Sequence, residues 1–119
     1  MQSIPGFNAG SQYNPLQQFI EQYLAPADTE TADIDVTATI VKVTVPGSGT
    51  GKVKMPHARD IAGRIITIME NSGGGGGGAI QVVNQAGTDI VGDNIAAADD
   101  RVAVYSDGLH LYVIADVTV

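Results

Sequence analysis

The sequence predicts an all-β protein: a small antiparallel β-sandwich or jelly-roll-like module, with an N-terminal extended arm and one short helix. Three observations lead there. From Arg64 onward, apolar and polar residues alternate in short runs, the period of half-buried strands. Gly, Asp and Asn turns separate these runs at intervals of roughly 8–12 residues, the spacing of sandwiches and barrels. Only residues 15–24 place their apolar side chains at helical spacing.

A chain of 119 residues reads as one domain. Residues 1–33 form an arm and linker, and residues 34–119 the β module. In residues 1–14, Pro5-Gly6 is a breaker, and the small polar composition suits a segment that orders on a partner. Asn14 is a good N-cap and Pro15 suits the first helical position. Leu16, Phe19, Ile20, Tyr23 and Leu24 then fall on one stripe, and Ala25-Pro26 ends the helix. About ten residues make a marginal helix in water, so the stripe needs cover, either from its own β core or from a docking surface.

Asp28–Asp33 reads as an acidic linker and Asp35–Val45 as a long strand whose phase slips at Ile40-Val41, a bulge signal. Pro46–Gly51 is a flexible turn. Val53–Pro56 is a short edge piece marked by Lys54 and Pro56, and His57–Ala62 is a loop with room for one helical turn. Further strands are expected at Arg64–Met69, Ala79–Gln85, Asp89–Val91, Arg101–Ser106 and Leu109–Val119. Asp107-Gly108 signals a two-residue hairpin turn. Gly73–Gly78 reads as a mobile tip joining Arg64–Met69 to Ala79–Gln85, or as a place where only Gly fits against close backbone.

Composition excludes several functions. Without Cys there is no disulfide framework and no thiolate chemistry. A net charge of −7 argues against nucleic acid as a partner. No apolar run approaches the roughly 20 residues of a membrane span, and the N-terminus shows no signal-peptide pattern. Charge is unevenly spread. Residues 1–41 carry Glu21, Asp28, Glu30, Asp33 and Asp35 with no Lys or Arg, whereas Lys42, Lys52, Lys54, Arg59 and Arg64 follow against Asp60 alone. These are either two solvated surfaces or complementary patches that meet between protomers or with a charged platform.

No catalytic constellation emerges, and the expectation is a non-enzyme without cofactor or metal. Gly47–Lys52 resembles the end of a phosphate-binding loop, but Pro46 and Val53 stand where Gly and Ser or Thr are required. His57 lies in a loop, and His110 points away from Leu109 and Leu111 on an expected strand, so neither serves a nucleophile. Ser106 beside Asp107 is turn chemistry. Asp93, Asn94, Asp99, Asp100 and Asp107 offer oxygens, but at no EF-hand spacing. Trp is absent and Phe scarce, so paired carboxylates would lack a sugar-stacking platform.

Residues 63–114 resemble a β module found in virion proteins of tailed bacteriophages: tail fibres, head fibres and capsid decoration proteins. The resemblance is carried by Pro56, Gly63-Arg64-Ile65-Ile66-Thr67-Ile68, Gly73–Gly78, Ile80–Val83, Gly87–Gly92, Val102–Tyr105 and Ser106-Asp107-Gly108 with Tyr112-Val113-Ile114. Leu111 stands where Trp is usual. The resemblance implies a homotrimeric β module on a virion, assembled in the host cytoplasm. The leading expectation is a capsid decoration (cement or head-fibre) protein that binds the major capsid protein on the outer shell and stabilises it. Its expected interface residues are Phe7, Tyr13, Leu16, Phe19, Ile20, Tyr23, Lys42, Lys52, Lys54 and Arg59. The alternative is a tail-fibre or spike tip that binds a receptor or carbohydrate through loops 47–51, 73–78 and 93–100.

Overall fold

The structure is a computed structural model that describes residues 19–71 and 77–118. Eight strands follow in order: β1 (Glu21–Leu24), β2 (Thr31–Asp33), β3 (Ile40–Val43), β4 (Thr50–Lys54), β5 (Ile65–Glu70), β6 (Ala79–Val83), β7 (Arg101–Ser106) and β8 (Leu111–Val117). A single 3-10 turn, Ala58–Ile61, lies between β4 and β5. The all-β class stands, and so does the arrangement in two sheets.

The direction of pairing differs from the expected antiparallel sandwich. The chain alternates between sheets, giving β1-β3-β5-β7-β8 in one and β2-β4-β6 in the other. β1, β3 and β5 pair in parallel, and so do β2, β4 and β6. Each successive pair of strands therefore forms one rung of a coil, stacked on the rung before. Antiparallel strand pairing joins β5–β7 and β7–β8, which extend the larger sheet at its C-terminal edge, and two isolated antiparallel bridges, Val83–Asp89 and Ile80–Ile95, lie along β6.

Alternation along each strand divides core from surface. Val41 and Val43 of β3, Ile66 and Ile68 of β5, and Val102 and Val104 of β7 are buried from one side. Val53 of β4 and Ile80 and Val82 of β6 meet them from the other, in one shared core. Burying a Val or Ile side chain contributes roughly 1.5–3 kcal/mol, so a core without Trp is built from many such increments.

The corners where the larger sheet passes to the smaller one are tightly stacked. Thr29 N–H donates to Thr50 O at 3.0 Å and Ala79 N–H to Gly49 O at 2.9 Å. A Cβ on Gly51 would lie 2.6 Å from the Pro26 carbonyl oxygen, and one on Gly78 would lie 2.7 Å from the Pro46 carbonyl oxygen. Only glycine lets the rungs approach this closely. On the opposite side, the Arg64 guanidinium donates to the carbonyls of Val36 and Ala38, tying the β4–β5 corner to the one below it.

Several sequence expectations are corrected. Glu21–Leu24 is a strand, not the C-terminal half of a helix over 15–24; residues 15–18 lie outside the described residues. A ten-residue helix gains little from its own hydrogen bonds, whereas β1 satisfies its backbone against β3. The expected boundary at 33/34 therefore falls inside the module, because β1 and β2 belong to its sheets. β4 is the central strand of its sheet rather than an edge. The long strand expected over 35–45 is cut to Ile40–Val43 by a turn in which Asp35 accepts Thr37 N–H. β5 and β6 lie in different sheets, so the glycine run does not close a hairpin between them.

The corner geometry yields a direct expectation. Gly51→Ala should destabilise the protein by about 1–3 kcal/mol, the usual cost of overpacking. Gly47→Ala should be close to neutral, since nothing lies within 4 Å of its Cβ position. Urea unfolding midpoints of the two variants check the difference.

Candidate functional site

The expected interface residues separate into distinct places. Phe7, Tyr13 and Leu16 lie outside the described residues. Phe19 and Ile20 lie just before β1 and Tyr23 on its outer face, at the edge of the larger sheet among the described residues, and they are 70%, 44% and 60% exposed. Lys42 is the register neighbour of Tyr23. Its ammonium sits 5.6 Å from the centre of the Tyr23 ring and 3.5 Å from the Glu21 carboxylate. Tyr23, Lys42 and Glu21 form one aromatic-and-charge cluster, with Phe19 and Ile20 exposed just before it in the chain.

Lys52 and Lys54 project from the outer face of β4, in the other sheet, where Lys54 is the register neighbour of Asp33. Arg59 is exposed on the 3-10 turn, 3.9 Å from Asp60. The acidic N-terminal third and the basic middle thus meet inside one chain, between neighbouring rungs, as Glu21 with Lys42 and Asp33 beside Lys54.

The outer face of the larger sheet is mostly apolar. Ile65, Tyr105 and Tyr112 align across β5, β7 and β8, and Met69 aligns with Arg101 and Val117. The outer face of the smaller sheet presents Thr31, Lys52 and Gln81 in one row. The two faces of the module are therefore chemically unlike.

A cleft of about 340 Å³ opens on the side where β4 and β6 end. His57 and Ala58 border it from the β4–β5 corner, Asn84 and Gln85 from the end of β6, and Leu109 and His110 from the β7–β8 hairpin. The hairpin itself is as expected, but its loop spans 107–110, because Ser106 pairs with Leu111. His110 therefore sits in the loop and not on a strand.

Asp107 organises that loop. Its Oδ1 accepts the N–H groups of His110 at 2.7 Å and Leu109 at 2.8 Å, and its Oδ2 accepts the Tyr112 hydroxyl at 3.2 Å. The backbone bond from His110, then that from Leu109, holds the Asp107 carboxyl below its ordinary range. The bond to Asp107 pushes the Tyr112 phenol up. Ser106 is buried; its hydroxyl donates to Ala58 O and accepts Gly108 N–H. This is the turn role expected for it, and it locks the hairpin to the 3-10 turn.

Asp100 and Asp107, two of the acidic residues weighed as oxygen donors, hold backbone N–H groups instead. Asp100 is buried and its Oδ2 accepts the N–H groups of Ala96 and Ala97. Among the described residues, no group of three His, Cys, Asp or Glu side chains is placed to hold a metal ion. No helix among them is long and apolar enough to cross a membrane. The described parts of the loops expected to form a binding tip lie together, away from the cleft: 47–51 and Gly77-Gly78 pack where β4 and β6 begin, and Ile95 of the third loop pairs with Ile80 there. The cleft's own residues carried no motif; Asn84, Gln85 and Leu109 could be singled out only once β4, β6 and the hairpin were placed.

Comparison with protein-family models, with curated proteins and with solved structures returned no match.

The Asp107 geometry sets a pH dependence. A carboxyl whose pKa is lowered by folding stabilises above its unfolded pKa, and that contribution disappears as pH falls through the folded value. Asp107→Ala should therefore lower the urea midpoint near neutral pH, and the gap to the parent protein should narrow once pH falls below about 4, the ordinary Asp value.

Proposed function

We propose that the protein is a structural component of a tailed-bacteriophage virion, a capsid decoration protein that attaches by its N-terminal end and displays the β coil outward. The observation that carries this reading is the patch at the β1 edge of the larger sheet. Phe19, Ile20 and Tyr23 stand exposed there, with Lys42 beside Tyr23. Large aromatic side chains next to a cation are the composition of interface anchors. The chain also continues from this edge into the segment that carries Phe7, Tyr13 and Leu16.

On this reading the partner is the major capsid protein, and the effect is mechanical: buried anchors join neighbouring capsomers, and repetition over the shell adds avidity. The resemblance of residues 63–114 to phage virion modules supports the setting and a homotrimeric assembly. Lys52, Lys54 and Arg59 face elsewhere on the module and are not needed for this contact.

The test is co-sedimentation with capsids of the phage that encodes the chain. Removing residues 1–18 spares β1 and should leave a folded module that no longer sediments with capsids. In the full chain, Phe19→Ser with Tyr23→Ser should weaken capsid binding about 30-fold, the equivalent of a 2 kcal/mol hot spot. Undiminished binding by both variants would overturn the proposal.

A further inference from the structure

The cleft where β4 and β6 end is braced on three sides. Gln85 Nε2 donates to the Met55 carbonyl at 2.7 Å, tying the end of β6 to the end of β4. Asn84 Oδ1 accepts the backbone N–H groups of Ala86 and Thr88 and closes its own turn. The Ser106 hydroxyl donates to the Ala58 carbonyl at 2.7 Å, fixing the β7–β8 hairpin to the 3-10 turn. The walls are therefore set before anything enters, as binding clefts usually are. Ile90 and Leu111 line the cleft and also pack on the core, so an apolar occupant extends that core. Leu109 stands 81% exposed at the rim. Among the described residues, no Asp, Glu, Lys or Arg borders the cleft.

The chain enters β1 on this same side of the coil. The Ile20 carbonyl accepts the Thr39 N–H at 2.9 Å, at the 34–39 corner. Arg64 reaches from the next corner to the carbonyls of Val36 and Ala38. Gly63 N–H donates to the Ser106 carbonyl at 2.8 Å, at the base of the hairpin. Entry point, two corners and hairpin thus line up along one side of the stack. The order β1-β3-β5-β7 puts three strand spacings between the entry and the hairpin, roughly 14 Å.

The sequence just before β1 suits this cleft. Residues 1–18 carry no charged side chain. Leu16 lies three residues before Phe19 and Tyr13 six. Extended chain covers at most about 3.5 Å per residue, so Leu16 reaches roughly 10 Å and Tyr13 roughly 20 Å. Going back from β1, Tyr13 is the first large side chain with the reach. Phe7 reaches too, but it has no polar end for a rim that carries Asn84, Gln85, His57 and His110. Tyr combines an apolar ring with a hydroxyl that takes a hydrogen-bond partner when covered.

We propose that the cleft seats Tyr13 of its own chain, with the ring against Ile90, Leu109 and Leu111. A volume of about 340 Å³ takes one aromatic side chain and its backbone. An uncharged segment meets an uncharged cleft, so seating strips no ion of its water. A short tether supplies a millimolar effective concentration, so a weak contact by one side chain suffices. The consequence for function rests on the capsid reading, in which Tyr13 is an anchor: the free protein stows that anchor, and the capsid takes it from the cleft.

The test is NMR on the isotope-labelled full chain without capsids. Nuclear Overhauser contacts should join the Tyr13 ring to the methyl groups of Ile90, Leu109 and Leu111, and tenfold dilution should leave them unchanged. Tyr13→Ala should shift the Leu109 and His110 amide signals while those of β2 and β4 stay in place. Leu109→Asp, in an exposed turn, should abolish the Tyr13 contacts with the sheets intact. Absent contacts, contacts made by Phe7 instead, or contacts that fade on dilution because a second copy supplies the ring would each overturn the seating. Co-sedimentation reads the consequence separately: Leu109→Asp should bind capsids at least threefold more tightly. Unchanged capsid binding by that variant, with the contacts present in the parent chain, would overturn the stowing role and leave the seating standing.

Discussion

The fold depends on the close approach of successive rungs. Parallel strands offer each other evenly spaced, slanted hydrogen bonds, and the pairing is slightly weaker per residue than in an antiparallel ladder. What makes the stack hold is that corners and core come into register together. Pro26 and Pro46 turn the chain at the same corner, and Gly51 and Gly78 allow the next rung to settle directly on it. With the corners aligned, Val41 lies over Ile68, and Val53 over Val82. The apolar ladders that form the core follow from that alignment.

The same constraint separates scaffold from site. Corners leading from the larger sheet to the smaller one are short and stacked, because every rung must pass the same point. Corners on the other side lengthen from 34–39 to 55–64, and residues 84–100 begin there before running back antiparallel along β6 to the start of β7. Repeat architectures place insertions on one face, and that face is often the one that binds. Here the long corners and the β7–β8 hairpin loop surround the cleft. The apolar outer face and the aromatic edge belong to the larger sheet instead. One coil thus carries two chemically distinct surfaces.

The strands were legible where alternation was strong. Arg101–Ser106 is a strand over the residues its pattern predicts, and Ile65–Glu70 and Ala79–Val83 lie close to their expected spans. Strand direction was not legible, because a period of two is the same in parallel and antiparallel sheets. The Gly, Pro and Asp signals that mark hairpins also mark the corners of a coil. The signal that separates the two is the spacing of Pro26 and Pro46, which matches the step of a rung. The helical stripe misled at Glu21–Leu24 for a related reason: Tyr and Leu also suit a strand, and pairing with β3 outweighed a weak local preference. Of the candidate site, Phe19, Ile20 and Tyr23 were expected on a helix and stand exposed on and beside β1 instead. The cleft was not foreseen, since it joins residues from three corners far apart in the chain.

The central claim is that successive rungs stack in parallel, and proton–proton contacts across the strands in solution test it most directly. An NMR nuclear Overhauser experiment on the full chain should show contacts joining Gln22 to Val41, Val41 to Ile68 and Val53 to Val82, the register pairs of the coil. A ladder of antiparallel contacts running from Glu70 and Ala79 back along β5 and β6 would mean that these strands form a hairpin, and would contradict the account.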